Sequence, residues 1–357
     1  MTLQQPPGHD EFELTLVGPG YGESIILHIG GGSWILVDSC GRADEPAALH
    51  YLHGLNLDPV QAVELIVASH WHDDHIRGMA RLVEVCENAR FCCAGVLCHE
   101  EFLAAVHALE GRHVGTFGSG LREMHGAFFR LRQAAATPTL ALANRRIFAR
   151  GACEAWALAP TDVVFLDFLQ ELRRLLPEPG QAETRIRSLS PNDVAVALWI
   201  AVGDIAVLLG SDLEQRGWLS VLQDTARPTG TASVFKVPHH GGASAHEPGV
   251  WERLLEREPV AVLTPWRRGG GVLPTRRDRR RILASTPNAF MTEGTGAPAA
   301  ARRRPSVVER TIRQSGIRLR RFPEPDAIRL RRKIGPGTQW RVERFGSACH
   351  LSDFGGR

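Results

Sequence analysis

The heptapeptide from Ser69 to His75 reads Ser-His-Trp-His-Asp-Asp-His, and it follows directly on the apolar run from Glu64 to Ala68. That run has the length and composition of a buried strand, so His70, His72, Asp74 and His75 stand at a strand's end. Imidazoles two residues apart there can point the same way and grip one divalent ion. A carboxylate and an imidazole just beyond, on the turn into a helix, can grip a second ion a few Å away. With 15 histidines in 357 residues, chance would produce such a hexamer about once in a thousand chains. The chemistry expected of it is hydrolysis by a two-metal centre.

The elements that must position these residues alternate. Residues 12–18, 23–30 and 33–39 read as three strands of a β-meander, with Gly-Pro-Gly at 18–20 and Gly30 to Gly32 as turns. The third strand ends on Asp38. A helix over 45–54 leads to the metal-motif strand, and 76–87 reads as an amphipathic helix continuing from the motif. Residues 100–150 carry helical patterns with a Gly-rich break at 115–120, which suggests a helical insertion or lid. In that region His99, His107, His113 and His125 read as surface or packing residues. After a Pro/Gly connector at 177–181, residues 194–202 and 205–209 form a strand pair turned at Gly203-Asp204 and ending on Asp212. Asp212 reads as a ligand, as the N-cap of the next helix, or as both. A further strand ends on Lys236-Val-Pro-His239-His240, and two adjacent histidines there cannot both be core residues without partners. Alternating strands and helices indicate an α/β layered domain.

The first residues are polar, and no apolar run reaches the ~18 residues that span a bilayer. A soluble, cytoplasmic protein with no membrane partner is expected. Seven scattered cysteines are not a disulfide framework, and those at 92, 93 and 98 read as packed thiols of a strand. Arginine makes up 40 of the 42 basic residues, so arginine as a type carries little signal, but its position can. Arg302 to Arg344 holds 14 basic and 4 acidic residues, a net +10 in a chain of +3. The organisation read from this is a hydrolase domain over 1–300 and a basic C-terminal β-hairpin extension over 301–357.

The order Asp38, His-x-His-x-Asp-His, Asp212, Pro-His-His-Gly-Gly resembles the metallo-β-lactamase superfamily. The opening LVGPGYGESIILHIGGGSWILVDSCG, the PND turn, LLGSDLE and KVPHHG are similar to the ComEC-like hydrolase branch. The resemblance implies a four-layer αββα sandwich with metal ligands on loops at one edge. It implies His70 and His72 on a first metal and Asp74 and His75 on a second. Asp212 bridges both, and His239 or His240 closes the second site, with His239, nearer the strand, favoured. Asp38 becomes a carboxylate that holds the ligand loop.

There are departures from the pattern. Where many relatives supply a third histidine the chain has Ser190-Pro191-Asn192-Asp193, so Asn192 or Asp193 could ligate through oxygen. Manganese then competes with zinc. Gly242 replaces a serine that Ser244 could substitute, and Leu273-Pro274 stands where relatives often have His-Pro.

The reaction expected is hydrolysis by a metal-activated hydroxide, with Asp74 orienting the water or taking its proton. Lys236 is either a phosphate contact or a solvent-facing lysine. A nucleic acid or nucleotide phosphodiester is the first substrate class, with Arg329, Arg331 and Arg332 of the basic run as phosphate contacts. A small ester, lactone or thioester is the second. A weakly catalytic metal-binding protein acting through a protein partner is the third.

Overall fold

The computed structural model describes residues 5–18, 22–98, 118–175, 190–268, 271–293 and 326–354. Strands β1 (Glu11–Val17), β2 (Ser24–His28) and β3 (Trp34–Val37) form the expected antiparallel meander. Gly30, Gly31 and Gly32 make its second turn, all at positive φ, a backbone any side chain would strain. Helices α1 (Ala47–Gly54) and α2 (Pro59–Ala62) return the chain to β4 (Val63–Ala68), parallel to β3. The helix expected over 76–87 is instead broken. Gly78 adopts φ 86°, splitting the segment into α3 (Asp73–Ile76) and α4 (Met79–Val85). Strand β5 (Arg90–Ala94), helix α5 (Gly118–Gln133) and strand β6 (Thr139–Ala141) complete this half.

The second half repeats the plan. Strands β7 (Arg145–Arg150), β8 (Cys153–Ala157), β9 (Leu198–Val202) and β10 (Ile205–Leu209) are antiparallel, with α6 (Asp162–Leu175) between β8 and β9. Helix α7 (Gln215–Gln223), strand β11 (Ala232–Lys236), helix α8 (Pro248–Arg253) and strand β12 (Leu255–Leu263) follow. A small hairpin, β13 (Trp266–Arg268) and β14 (Gly271–Leu273), leads into α9 (Arg276–Ser285) and β15 (Ala289–Met291). Strands β16 (Ala327–Lys333), β17 (Arg341–Phe345) and β18 (Cys349–His350) close the described chain.

Two eight-stranded sheets result, ordered β17-β16-β1-β2-β3-β4-β5-β6 and β18-β15-β12-β11-β10-β9-β8-β7. In the second sheet the period-2 alternation divides side chains between two cores. Ile200, Val207, Val234 and Val262 join the core shared with the first sheet, whereas Trp199, Leu208, Phe235 and Ala261 pack with Trp218 and Ile282 on the outer side. This is a layered α/β sandwich. Among the described residues no helix is long and apolar enough to cross a membrane.

Three expectations change. The helical insertion over 100–150 is only partly helical: β6 and β7 are strands of the two sheets, and α5 packs on α4. The helix read over 101–110 lies outside the described residues, as do His99, His107, His113, the connector at 177–181 and Arg302 to Arg321. The C-terminal hairpin forms around Gly335 to Gly337 as expected but is no separate extension. Strand β16 pairs with β1 along its whole length, Glu11 opposite Lys333 to Val17 opposite Ala327. Asp212 does not cap the next helix, whose N-cap is Glu214.

Candidate metal centre

Strand β4 delivers the motif, and the Val196 N–H donates to the Ser69 carbonyl at 3.1 Å, tying the loop to the second sheet. One strand over, Asp38 sits at φ 61° and turns its carboxylate under that loop. Its Oδ1 accepts from the Ser69 N–H at 2.8 Å. Its Oδ2 accepts from the Ser69 hydroxyl at 2.7 Å and from His75 Nδ1 at 2.8 Å. Asp38 therefore lies where the resemblance puts it, behind the ligands.

The proton positions this fixes decide what the ligands face. With Nδ1–H of His75 spent on Asp38, Nε2 presents a lone pair to Asp212 Oδ1 at 3.4 Å. Both atoms are buried and have no hydrogen-bond partner. His240 repeats the arrangement. Its Nδ1 lies 3.2 Å from the Thr264 carbonyl, which can only accept, so Nδ1 carries the proton and Nε2 faces Asp74 Oδ2 at 3.2 Å. His70 Nε2 and His72 Nδ1 face each other at 3.1 Å, with Asp212 Oδ2 3.8 Å from His70. Two ligands on a tetrahedral ion at ~2.0–2.1 Å lie roughly 3.3–3.4 Å apart. These pairs have that spacing, and lone pair against lone pair is stable only with positive charge between them. The donor set fits divalent cations: His70, His75 and Asp212 have donor atoms within 4.8 Å of one another, as do Asp74, His75 and His240, and His72 faces His70. The division the resemblance implies, His70 and His72 for one ion and Asp74, His75 and His240 for the other, fits this with Asp212 able to serve both.

The same buried carboxylates call for positive charge, which a proton on His75 Nε2 can supply as well as an ion. Burial opposes charge on His75, but the Asp212 and Glu23 carboxylates outweigh it and hold the imidazole well above its ordinary range. Burial, helped by neighbouring His75, holds His70 well below that range. Asp212 and Asp74 stay low despite burial, Asp212 chiefly because of His75 and Asp74 chiefly because of His240.

The adjacent histidines are resolved against the expectation. Both adopt left-handed backbone, φ 48° and 53°, so strand alternation stops at Pro238. His240 joins Asp74 and His75, whereas His239 turns outward to Ser244 Oγ and Glu214 Oε1, each at 3.2 Å. Ser244 thus touches His239 and Glu214. Asn192, on the short turn Pro191–Val194, is buried, and its Oδ1 has no hydrogen-bond partner among the described residues. It lines a groove of about 330 Å³ whose wall also includes Val164, Phe168, Asp167, Glu171, Asp193 and Glu214.

Lys236 is neither solvent-facing nor on an open surface. It is 0% exposed and ion-paired with Glu23, and its Nζ donates to the Ser211 carbonyl at 3.0 Å. The basic run is also corrected. Arg329 pairs with Glu343 at 2.7 Å and Arg331 with Glu13 at 2.5 Å, both guanidinium groups buried beneath α1, while Arg332 is tied to Asp204. Arg329 and Arg331 hold strands and offer nothing to a phosphate, whereas Arg332 is half-buried. Four residues that hold the ligands carried no role in the sequence reading: Glu23, Ser69, Ser211 and Thr264. Ser69 and Ser211 each immediately precede a ligand, the one signal available. Glu23 and Thr264 gave only a polar residue at the edge of an apolar run.

Residues 17–136 match the family model described as metallo-beta-lactamase superfamily. No curated protein matches the sequence. Three similar solved structures illustrate the likeness. One is a variant of a metallo-β-lactamase from Cronobacter sakazakii, 16% identical over 62% of this chain and 75% of that chain, with a TM-score of 0.32. Another is CmlA, a diiron β-hydroxylase from Streptomyces venezuelae, 15% identical over 65% and 35%, TM-score 0.33. The third is the class B3 di-zinc metallo-β-lactamase LRA-12 from an Alaskan soil metagenome, 12% identical over 71% and 73%, TM-score 0.33.

Proposed function

We propose that this chain, an α/β protein of the metallo-β-lactamase fold whose residues 17–136 fall in that superfamily, is a two-metal hydrolase acting on phosphodiesters, akin to the ComEC-like branch. The observation that carries the reading is the buried, unpartnered pair of His75 Nε2 and Asp212 Oδ1, facing each other at 3.4 Å. Such a buried pair calls for positive charge between its atoms, a proton or a cation, and the further ligands gathered around it suit a divalent ion. When bound, such a pair of ions supplies a water ionised near neutral pH and positive charge for the attacked centre.

The chain's own residues do the rest. His70 and His72 present nitrogen from one strand end, and Asp74, His75 and His240 close the other side. Asp212 reaches both groups with its two oxygens. Asn192 Oδ1 is a candidate oxygen donor for the first group. With carboxylates but no thiol among these ligands, zinc and manganese both suit the site.

Two observations bear on the substrate. Helix α9 exposes Arg276, Arg277 and Arg280 on one face, none in an ion pair among the described residues, and Arg281 Nη2 ties that helix to the Gly241 carbonyl beside His240 at 2.9 Å. A basic face on a helix anchored beside His240 favours an anionic, phosphate-bearing substrate. The groove beside Asn192 favours a second reading. Its four carboxylates outnumber its one guanidinium, Arg216, so it disfavours a polyanion and suits a neutral or cationic ester, lactone or thioester.

The test is elemental analysis of gently purified protein, followed by turnover of bis(p-nitrophenyl) phosphate against a p-nitrophenyl ester, a lactone and a thioester. Close to two ions per chain and phosphodiester turnover are expected. Fewer than half an ion would sink the two-metal reading, and ester turnover without phosphodiester turnover would install the second substrate class. Two bound ions with no turnover of any of these would favour a metal-binding role through a protein partner.

A further inference from the structure

The buried Glu23–Lys236 ion pair lies outside the ligand set, yet each of its ends reaches a different ligand loop. Glu23 precedes β2 in the first half of the fold, and Lys236 ends β11 in the second. Both are wholly buried. On one side the Glu23 N–H donates to the Asp74 carbonyl at 2.8 Å, and Glu23 Oε2 accepts the Thr264 hydroxyl at 2.7 Å. Thr264 in turn holds His240, with Nδ1 3.2 Å from its carbonyl and 3.1 Å from Oγ1. On the other side Lys236 Nζ donates to the carbonyl of Ser211, the residue before Asp212, whose backbone is held at φ 45°.

A buried ion pair is poor value for stability alone, since well-packed apolar residues of similar volume do as well or better. Its retention calls for another cause, and the contacts supply one. We infer that Glu23, Lys236 and Thr264 are positioning residues for the second metal group: the pair joins the two halves where His240 and Asp212 must converge on Asp74 and His75. Glu23 is the terminal acceptor of a donor chain running from His240 through Thr264. This is a carboxylate–imidazole support with a hydroxyl inserted, and it keeps the His240 Nε2 lone pair on the ligand side. Lys236 fixes the carbonyl that sets the direction of Asp212. The inference rests on the two-metal reading above.

The test is zinc titration of metal-stripped protein against a competing chelator, with thermal melting of the metal-free form. The variants are Thr264→Val, Thr264→Ser and the double variant Glu23→Leu/Lys236→Met. Wild-type protein should take two ions. Thr264→Val should weaken the second by roughly 10–100-fold while the first ion and the metal-free melting temperature stay near wild type, and Thr264→Ser should restore it. The double variant removes both charges together and should fold yet bind a single ion tightly. A wild-type protein that takes only one ion would overturn the two-metal reading itself. Two ions bound with wild-type affinity by Thr264→Val would overturn the positioning role and leave that reading standing, whether or not the double variant folds.

Discussion

Replacing Arg331 by alanine separates the structure from the charge count most sharply. If the run ending at Lys333 were a solvated basic surface, the substitution would leave folding alone and weaken nucleic-acid binding. In the structure Arg331 Nε lies 2.5 Å from Glu13 Oε2, with both side chains buried. Glu13 Oε1 also accepts Tyr51 Oη at 2.5 Å and Thr15 Oγ1 at 3.0 Å. Removing the guanidinium leaves a buried carboxylate with two neutral donors and, as nearby positive charge, Arg329, which is already paired with Glu343. Breaking a buried pair from one side typically costs ~3–5 kcal/mol. At about 2 °C per kcal/mol for a large domain, that is a fall in Tm of roughly 6–10 °C. Differential scanning calorimetry of metal-stripped protein reads it without interference from ligands. Lys333→Ala is the internal control. Lys333 lies in the same run but is exposed and paired with Asp10 only at the surface, so no measurable shift is expected. Equal melting of Arg331→Ala and wild type would refute the buried-pair account and return Arg331 to the surface reading.

Further outcomes follow from the same geometry. Asp212→Ala should lose both ions and all hydrolysis, whereas His72→Ala should lose the first ion and keep most of the second, as read by elemental analysis; wild-type metal content in Asp212→Ala would disprove the assigned centre. Stability should fall in mild acid through His28, which burial pushes down to about 4 from its ordinary 6.5. Its Nδ1–H donates to the Glu11 carbonyl at 2.8 Å and its Nε2 accepts the Gly32 N–H at 3.1 Å. Between those two values the unfolded chain binds more protons, so this stability is present above pH 6.5 and is lost toward pH 4, at up to ~1.4 kcal/mol per pH unit. Denaturant melts of His28→Gln from pH 7 to 4 should show a shallower slope by one proton, and an unchanged slope counts against it. The triple variant Arg276→Ala/Arg277→Ala/Arg280→Ala should weaken binding of a fluorescent oligothymidylate and flatten its log–log salt dependence by roughly 0.7 per lost phosphate contact. Turnover of the small phosphodiester should survive, and an unchanged salt slope would mark that face as merely solvated.

The metal motif was legible because its information is local: a strand end fixes where side chains two residues apart point, and ligand types name the chemistry. The meander, the strand pair turned at Gly203-Asp204 (its first strand shorter than read, beginning at Leu198 rather than Val194) and the C-terminal hairpin were legible for the same reason, since glycine turns and apolar runs lie side by side in the sequence. What failed was long-range. Arg331 looked like surface charge because its partner Glu13 lies 318 residues away. Arg329 pairs with Glu343 on the next strand, but it also reaches Tyr51, 278 residues away. Lys236 was misjudged in the same way, its partner Glu23 belonging to the other half. His239 was preferred over His240 because it lies nearer the strand, but two left-handed residues after Pro238 make nearness a poor guide and turn His240 inward. Strands β6 and β7 were missed because they are short edge strands, β7 with only Ile147 and Phe148 buried, so hydrophobic pattern barely marks them.

The ligand groups draw unequally on the two halves of the fold. His70 and His72 come from a single loop, so a first ion could be gripped by two of its ligands before the sheets meet. The other group takes Asp74 and His75 from one sheet edge and His240 and Asp212 from the opposite one, and no fragment of the chain owns it. Its affinity is therefore a report on assembly. On the two-metal reading, only molecules whose halves have closed would hold the second ion, and the free energy of that ion would add to the closed state alone. A chelator, in this protein, should act as a gentle denaturant aimed at one seam, and metal supply should set how long that seam stays shut.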